Sequence, residues 1–280
     1  MQDIIDSMAE KAAEGIEDET YIAEDGLRYC KICNEPRQQW IEILEMTRLL
    51  PVPCSCIKKE GEKRREQERK DRFEQLVRQL RHEGIKDAEY LRCTFENDAE
   101  PTNQASLMAR QYVRVWGKMY RDNVGILFTG GVGTGKTYLA CSIANALIDN
   151  GVSCKVTSLP RIINELQGTW DKGGYIQRLN KFDLLVIDDF GTERGTEYGQ
   201  EQVYNVIDNR MLSGKPIIVT SNLSIRDLSE PTDLASNRIY SRLLKMTPIR
   251  IYCNGENKRA KATQKNVDES MSILFGGGDV

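Results

Sequence analysis

The stretch Gly130-Gly131-Val132-Gly133-Thr134-Gly135-Lys136-Thr137 decides how this chain folds. It has the form G-x-x-x-x-G-K-[ST], a loop whose backbone N–H groups wrap a phosphate. Glycine carries no Cβ, so the chain can turn its amides inward and approach an anion closely. The helix that follows offers the positive end of its dipole to the same charge. Lys136 can reach the terminal phosphates of a nucleoside triphosphate, and the Thr137 hydroxyl can hold Mg²⁺. Tyr138 closes the nucleotide-binding stretch. Val124-Gly125-Ile126-Leu127-Phe128-Thr129 before the loop reads as an apolar strand. From Tyr138 to Ile148 apolar residues recur at helical spacing, up to a stop at Asn150-Gly151. A chance glycine-rich turn would need neither flank.

Working outward, short apolar strands alternate with helical patterns from about Leu91 to Cys253. Strands are expected over 124–129, 153–158, 183–188, 216–221 and 248–252. This alternation predicts an α/β fold with a parallel sheet covered by helices on both faces. The strand Phe182-Asp183-Leu184-Leu185-Val186-Ile187-Asp188-Asp189 ends in two acids, at the sheet end where ligands bind. Asp188 is expected to hold Mg²⁺, and Asp189 to orient the attacking water. Ile217-Ile218-Val219-Thr220-Ser221-Asn222 ends in small polar groups, which places Asn222 beside the γ-phosphate or simply at a turn after a strand. Arg238 and Arg242 share a helical face at i, i+4, either as fingers that neutralise transition-state charge in a neighbouring subunit or as a solvated face. Arg210 is a third candidate for that role.

Upstream of the sheet, charge is uneven. Residues 1–25 carry nine acidic side chains and one Lys, and 57–82 carry ten Lys/Arg against six Asp/Glu. The net charge of −3 gives no overall bias toward nucleic acid. No apolar run reaches the ~18 residues of a membrane span. The acidic N-terminus does not resemble a secretory signal, so a cytoplasmic protein with reduced thiols is expected. Four of the eight cysteines form Cys30-x-x-Cys33 and Cys54-x-Cys56, twenty residues apart. Such spacing suits a closed structural Zn²⁺ site, the alternative being four free thiols. Cys93, Cys141, Cys154 and Cys253 read as core residues. The expected organisation is an acidic segment 1–25, a zinc module 26–57, a charged helical linker 58–90, the α/β core 91–253 and a polar tail 254–280. Phe73, Leu76, Val77 and Leu80 form a narrow apolar stripe on the linker, and His82 reads as solvated.

The order P-loop, apolar strand with Asp188-Asp189, Thr220-Ser221-Asn222-Leu223, then paired Arg resembles the AAA+ ATPases of the replicative helicase loader type (DnaC and DnaI) and their transposition-helper relatives (IstB). The resemblance covers about residues 91–253. It implies a P-loop NTPase sheet of order 5-1-4-3-2 and ATP hydrolysis with Mg²⁺. It also implies a homo-oligomer in which one subunit's Arg242, with Arg238 next, completes its neighbour's site. Where most AAA+ enzymes have Glu, this chain has Asp189, whose carboxylate is set back by ~1.5 Å; either slow hydrolysis or a carboxylate that acts through a second water is the expected result. The resemblance further implies single-stranded DNA contacts at Trp170, Thr196 and Tyr198, around a helical insertion at 159–181. Nearby Arg161, Lys172, Arg178 and Lys181 are expected to meet phosphates. A zinc module ahead of the core matches a Bacillus-type loader, which implies a hexameric replicative helicase as partner. A transposition helper, or a zinc-dependent adaptor with the nucleotide site as an assembly switch, remains open at this level.

Overall fold

The computed structural model describes residues 19–43, 46–191, 197–255, 257, 267, 270 and 274. They divide into two compact units, one up to Glu74 and one from Gln75. Thr196, the segment before Glu19 and nearly all of the tail lie outside the described residues.

The first unit is built from two small antiparallel hairpins. Strand β1 (Thr20–Ile22) pairs with β2 (Arg28–Cys30), and β3 (Gln38–Ile43) pairs with β4 (Met46–Pro51). Two-stranded hairpins bury too little to stand alone in water. Here Ile22, Ile32, Trp40 and Met46 stay exposed, while Cys30 and Cys54 are buried. Among the described residues of this unit, Cys30 and Cys54 are the buried apolar side chains.

Helix α1 (Ser55–Gly84) begins in the first unit and ends in the second. Its exposed face is laced by Arg64–Glu68 and Arg69–Glu66 pairs at helical spacing. Of the expected stripe, Phe73 and Leu76 remain exposed, whereas Val77 and Leu80 pack on the core. Gly84 is buried so tightly that a Cβ would stand 2.0 Å from the Cys154 carbonyl oxygen. The compact unit thus starts inside the helix, upstream of the expected boundary at residue 91, because the last turns of α1 supply part of the core.

The second unit continues with α2 (Ala88–Arg92), α3 (Gln104–Arg114) and α4 (Trp116–Arg121). Strand β5 (Ile126–Thr129) leads through the glycine loop into α5 (Lys136–Asp149). Then follow β6 (Cys154–Ser158), α6 (Leu159–Gly168), α7 (Lys172–Lys181), β7 (Leu184–Phe190), α8 (Glu197–Leu212), β8 (Ile217–Ser221), α9 (Ile225–Ser229), α10 (Leu234–Met246) and β9 (Ile249–Tyr252). The sheet order is β6-β7-β8-β5-β9, parallel throughout. Counted within the sheet, this is the expected 5-1-4-3-2.

Alternating residues feed two cores. Ile126, Phe128, Val186 and Ile218 face α5 and the helices before β5. Leu127, Leu185, Ile187, Ile217 and Val219 face the side covered by α6, α8 and α10. A strand buried on both faces reads as an unbroken apolar run, which is why these segments are plain in the sequence. The C-terminal ends of β5, β7 and β8 all open onto one edge, where the loop sits.

Candidate functional site

The loop between β5 and α5 turns on glycines in the left-handed region, with φ of 138° at Gly130, 77° at Gly133 and 93° at Gly135. A side chain at Gly130 would run into the backbone of Cys253 at 2.1 Å. Lys136 opens α5 and is 6% exposed. Its ammonium donates to the carbonyls of Gly130 (2.9 Å) and Gly131 (2.7 Å) and to Asn222 Oδ1 (2.8 Å). The lysine and the expected sensor Asn222 are thus brought together at the loop's centre. Val132 stands exposed at the loop tip. Tyr138 donates its hydroxyl to Thr94 O at 2.7 Å, which pins the segment after α2 against α5.

Asp188 is 3% exposed and held from three directions. Thr137 Oγ1 donates to its Oδ1 at 2.7 Å, Thr220 Oγ1 to the same oxygen at 2.6 Å, and Tyr90 Oη to Oδ2 at 3.1 Å. A hydroxyl and a carboxylate oxygen side by side are the hard donors that suit Mg²⁺. Asp189 is different. Its backbone lies in the left-handed region at φ 54°, and the β7–β8 register shifts between Ile187 and Phe190. This bulge breaks the alternation of the strand, as bulges near active sites do. Asp188 stays buried while Asp189 turns into the cavity. The Asp189 N–H donates to Thr220 Oγ1 at 3.0 Å, so one hydroxyl joins both acids.

Lys136, Thr137, Asp189 and Asn222 line a cavity of about 380 Å³ that also takes in Tyr90, Cys93, Asn97 and Asn254, while Asp188 sits behind Thr137, bonded to its hydroxyl. The structure thus brings these four expected residues together, and neither Arg238 nor Arg242 is among the residues that line the cavity. Thr220 and Tyr90 were not singled out in the sequence. Thr220 belongs to the Thr220-Ser221-Asn222-Leu223 stretch, but nothing in the sequence gives it a role of its own. Tyr90 lies 98 residues from Asp188, and no local pattern marks it.

The arginines separate clearly. Arg210 is fully buried and donates to the carbonyls of Phe182 (2.9 Å), Asp183 (2.9 Å) and Pro216 (2.6 Å). Burial lowers its pKa to about 10, against the opposing pull of Asp183. It ties the starts of β7 and β8 together, and it is no finger. Arg242 lies along α8. Its Nε donates to Asp208 Oδ1 at 2.6 Å and its terminal nitrogen to Tyr204 Oη at 2.9 Å. The Asp208 hydrogen bond raises its pKa further. Arg238, one turn earlier, is exposed.

The insertion forms a helical hairpin, α6 and α7, with Trp170 in the turn between them. Its ring is fully exposed (104%), so it does not pack against its own helix. Lys172 Nζ stands 4.9 Å from the centre of the Tyr198 ring, at the start of α8. Arg161 is committed to Asp87 by two hydrogen bonds of 2.7 and 3.2 Å, and Arg178 lies 3.6 Å from Asp171. Of the expected phosphate contacts, these two already have carboxylate partners.

In the first unit Cys30 ends β2, Cys33 follows in a tight turn closed by Asn34 N–H to Cys30 O, and Cys54 and Cys56 flank the start of α1. All four sulfurs lie within 4.8 Å of one another. Four sulfurs around one Zn²⁺ at ~2.3 Å bonds sit about 3.8 Å apart, so the set fits a closed tetrahedral ion. Burial raises the Cys33 thiol, but hydrogen bonds from the Glu35 N–H, Cys56, Cys30 and Ser55 outweigh it and bring it to about 6. Cys56 is pushed up to about 12 by that same hydrogen bond and then by burial.

A family model described as "IstB-like ATP binding protein" matches residues 56–265, most of the chain and the whole nucleotide site. The chain belongs to the IstB-like ATP-binding family. Within this family setting, the replicative helicase loader DnaC of Escherichia coli (strain K12) is 28% identical over 207 residues, covering 71% of this chain and 81% of that protein. A crystal structure of DnaI superposes with a TM-score of 0.52 at 23% identity, over 62% of this chain and 94% of the other. One of the DnaC helicase loader gives 0.51 at 22% identity, over 60% of this chain and all of that one. At these identities the two structures establish the fold alone, the five-stranded parallel sheet with its helices on both faces. Among the described residues no helix is long and apolar enough to cross a membrane.

Proposed function

We propose that this protein is an ATP-dependent loader of a hexameric replicative DNA helicase onto single-stranded DNA, acting in the cytoplasm. The observation that carries this reading is the match to a named helicase loader over 81% of that protein's length, in a chain whose nucleotide site lies inside the family match at 56–265. In this reading the loop from Gly130 to Thr137 binds the triphosphate, and Lys136 and Asn222 meet its γ-phosphate. Thr137 and Asp188 would hold Mg²⁺, which supplies charge neutralisation at the transferred phosphoryl group. Asp189 orients the water. Its short side chain, on a bulge that fixes its backbone, supports slow turnover.

Trp170, together with Thr196 and Tyr198, supplies the single-stranded DNA contacts, since a bare aromatic ring stacks on any base. Arg242 and Arg238 reach a neighbouring copy's site in the assembled homo-oligomer. The four cysteines hold Zn²⁺, and the module they staple grips the helicase. Ile22, Ile32, Trp40 and Met46 supply the apolar surface that such a grip uses.

The test is co-elution of the full chain with the replicative helicase on a sizing column, with and without ATP–Mg²⁺. A shared peak is expected, lost in a Cys30→Ser/Cys33→Ser variant that still binds ATP. No complex under any nucleotide condition would remove the loader reading. The family description itself favours a second reading, an IstB-like transposition helper, for which a transposase is the next partner to try.

A further inference from the structure

We propose that Tyr90 is a positioning residue for the metal-holding carboxylate: its hydroxyl fixes the rotation of Asp188 so that Oδ1 stays aligned with the Thr137 hydroxyl. This rests on the reading of Asp188 and Thr137 as Mg²⁺ ligands.

The terminal torsion of an aspartate is soft and roughly two-fold, so a carboxylate is oriented by its hydrogen bonds and not by its own rotamer. Asp188 Oδ1 already accepts from Thr137 and Thr220, both within 2.7 Å. Both of those bonds fall on one oxygen of the group. Tyr90 Oη on Oδ2, at 3.1 Å, is the bond on the other oxygen, and it adds its own resistance to rotation about the same torsion. A group outside the ligands that orients a ligating carboxylate is a recurrent requirement of metal sites.

The phenol is in turn held from its backbone. Asn145 Nδ2 donates to the carbonyls of Tyr90 (2.8 Å) and Cys93 (2.9 Å), at the last turn of α2 and just past it. Asn145 lies on α5, eight residues after Thr137 and so on the same helical face. Asp87, which precedes α2, is clamped by Arg161. Helix α5 therefore carries the Thr137 hydroxyl and also fixes the main chain that delivers the Tyr90 hydroxyl. The path Thr137–Asp188–Tyr90–Asn145 closes a ring through α5, β7 and α2. Burial, then the nearby Asp188 charge, raises the Tyr90 pKa well above its usual value, so the hydroxyl remains a donor at neutral pH.

Tyr90 also packs its ring against the apolar core. A Tyr90→Phe variant keeps that packing and removes the hydroxyl alone. The experiment measures binding of a fluorescent ATP analogue to the full-length protein and variant, first in EDTA and then across a Mg²⁺ titration. The inference expects unchanged affinity in EDTA and a rise of about tenfold in the Mg²⁺ concentration needed for half-maximal enhancement, in line with the loss of one hydrogen bond to a charged group. The same Mg²⁺ dependence in both proteins would overturn it. So would a parallel loss with and without Mg²⁺, which would mean that the hydroxyl serves the nucleotide or the fold and not the metal. If the unaltered protein bound the analogue with no response to Mg²⁺, the reading of Asp188 and Thr137 would fail first, and the inference with it.

Discussion

Asp189 occupies a backbone conformation that few side chains accept. At φ 54° an L-residue with a Cβ is crowded, and Asp and Asn pay less than others because their short polar groups bond locally. Asp at this position therefore has a backbone reason. Asp189→Glu should destabilise the second unit by about 1 kcal/mol without raising turnover, because the longer arm leaves from a strained bulge. Asp189→Asn keeps the backbone and removes the charge, so its melting temperature should stay unchanged while ATP hydrolysis falls about a hundredfold. Melting curves beside steady-state hydrolysis decide this, and a faster Asp189→Glu enzyme would refute the backbone argument. Identity and spacing made Lys136, Asp188 and Asp189 legible in the sequence, because their chemistry admits few substitutes. The bulge was not legible, since it depends on the register of β7 against β8. Nor was Tyr90, which meets Asp188 only through the folded path of the chain. Arg210 shows the converse: its type suggested chemistry, and burial among three carbonyls assigns it to structure.

At the level of elements, the strands were plain because full burial writes itself as apolar runs, and the helix after the loop because its spacing is regular. The hairpins of the first unit were not, because short half-exposed strands such as Arg28–Cys30 carry no alternation long enough to read. The α6–α7 hairpin lies between these cases. Leu159, Ile162 and Leu166 on α6, with Ile176 and Leu179 on α7, bury one face. The turn then has no apolar reason to carry a tryptophan, yet Trp170 stands wholly in solvent. Trp170→Ala should leave stability and ATP binding as they are and weaken single-stranded DNA binding about tenfold at matched salt. Fluorescence anisotropy with a labelled oligonucleotide measures it, and equal affinity would take Trp170 off the DNA surface. Arg161→Ala is expected to behave differently, because its guanidinium serves Asp87: it should lower stability before it touches DNA affinity.

On the scale of the whole molecule, the proposal requires that a site be finished by a second copy. Within one copy, Arg242 lies against Asp208 and Tyr204 on α8, away from the residues that line its own nucleotide cavity. An arginine that serves a neighbour must be dispensable to its own subunit's phosphate grip. A mixing experiment separates the two roles. Asp188→Asn subunits have a dead site and an intact Arg242; Arg242→Ala subunits have an intact site and no finger. Each protein alone should hydrolyse ATP at background rates while still binding it. Mixed, the first donates its arginine to the second, and activity should reappear with a maximum at comparable amounts of each. A finger acting in cis, or no finger at all, gives no recovery at any ratio. Recovery in a mix built on Arg238→Ala, but none on Arg242→Ala, would shift the role one turn along α10 to the residue that already faces solvent.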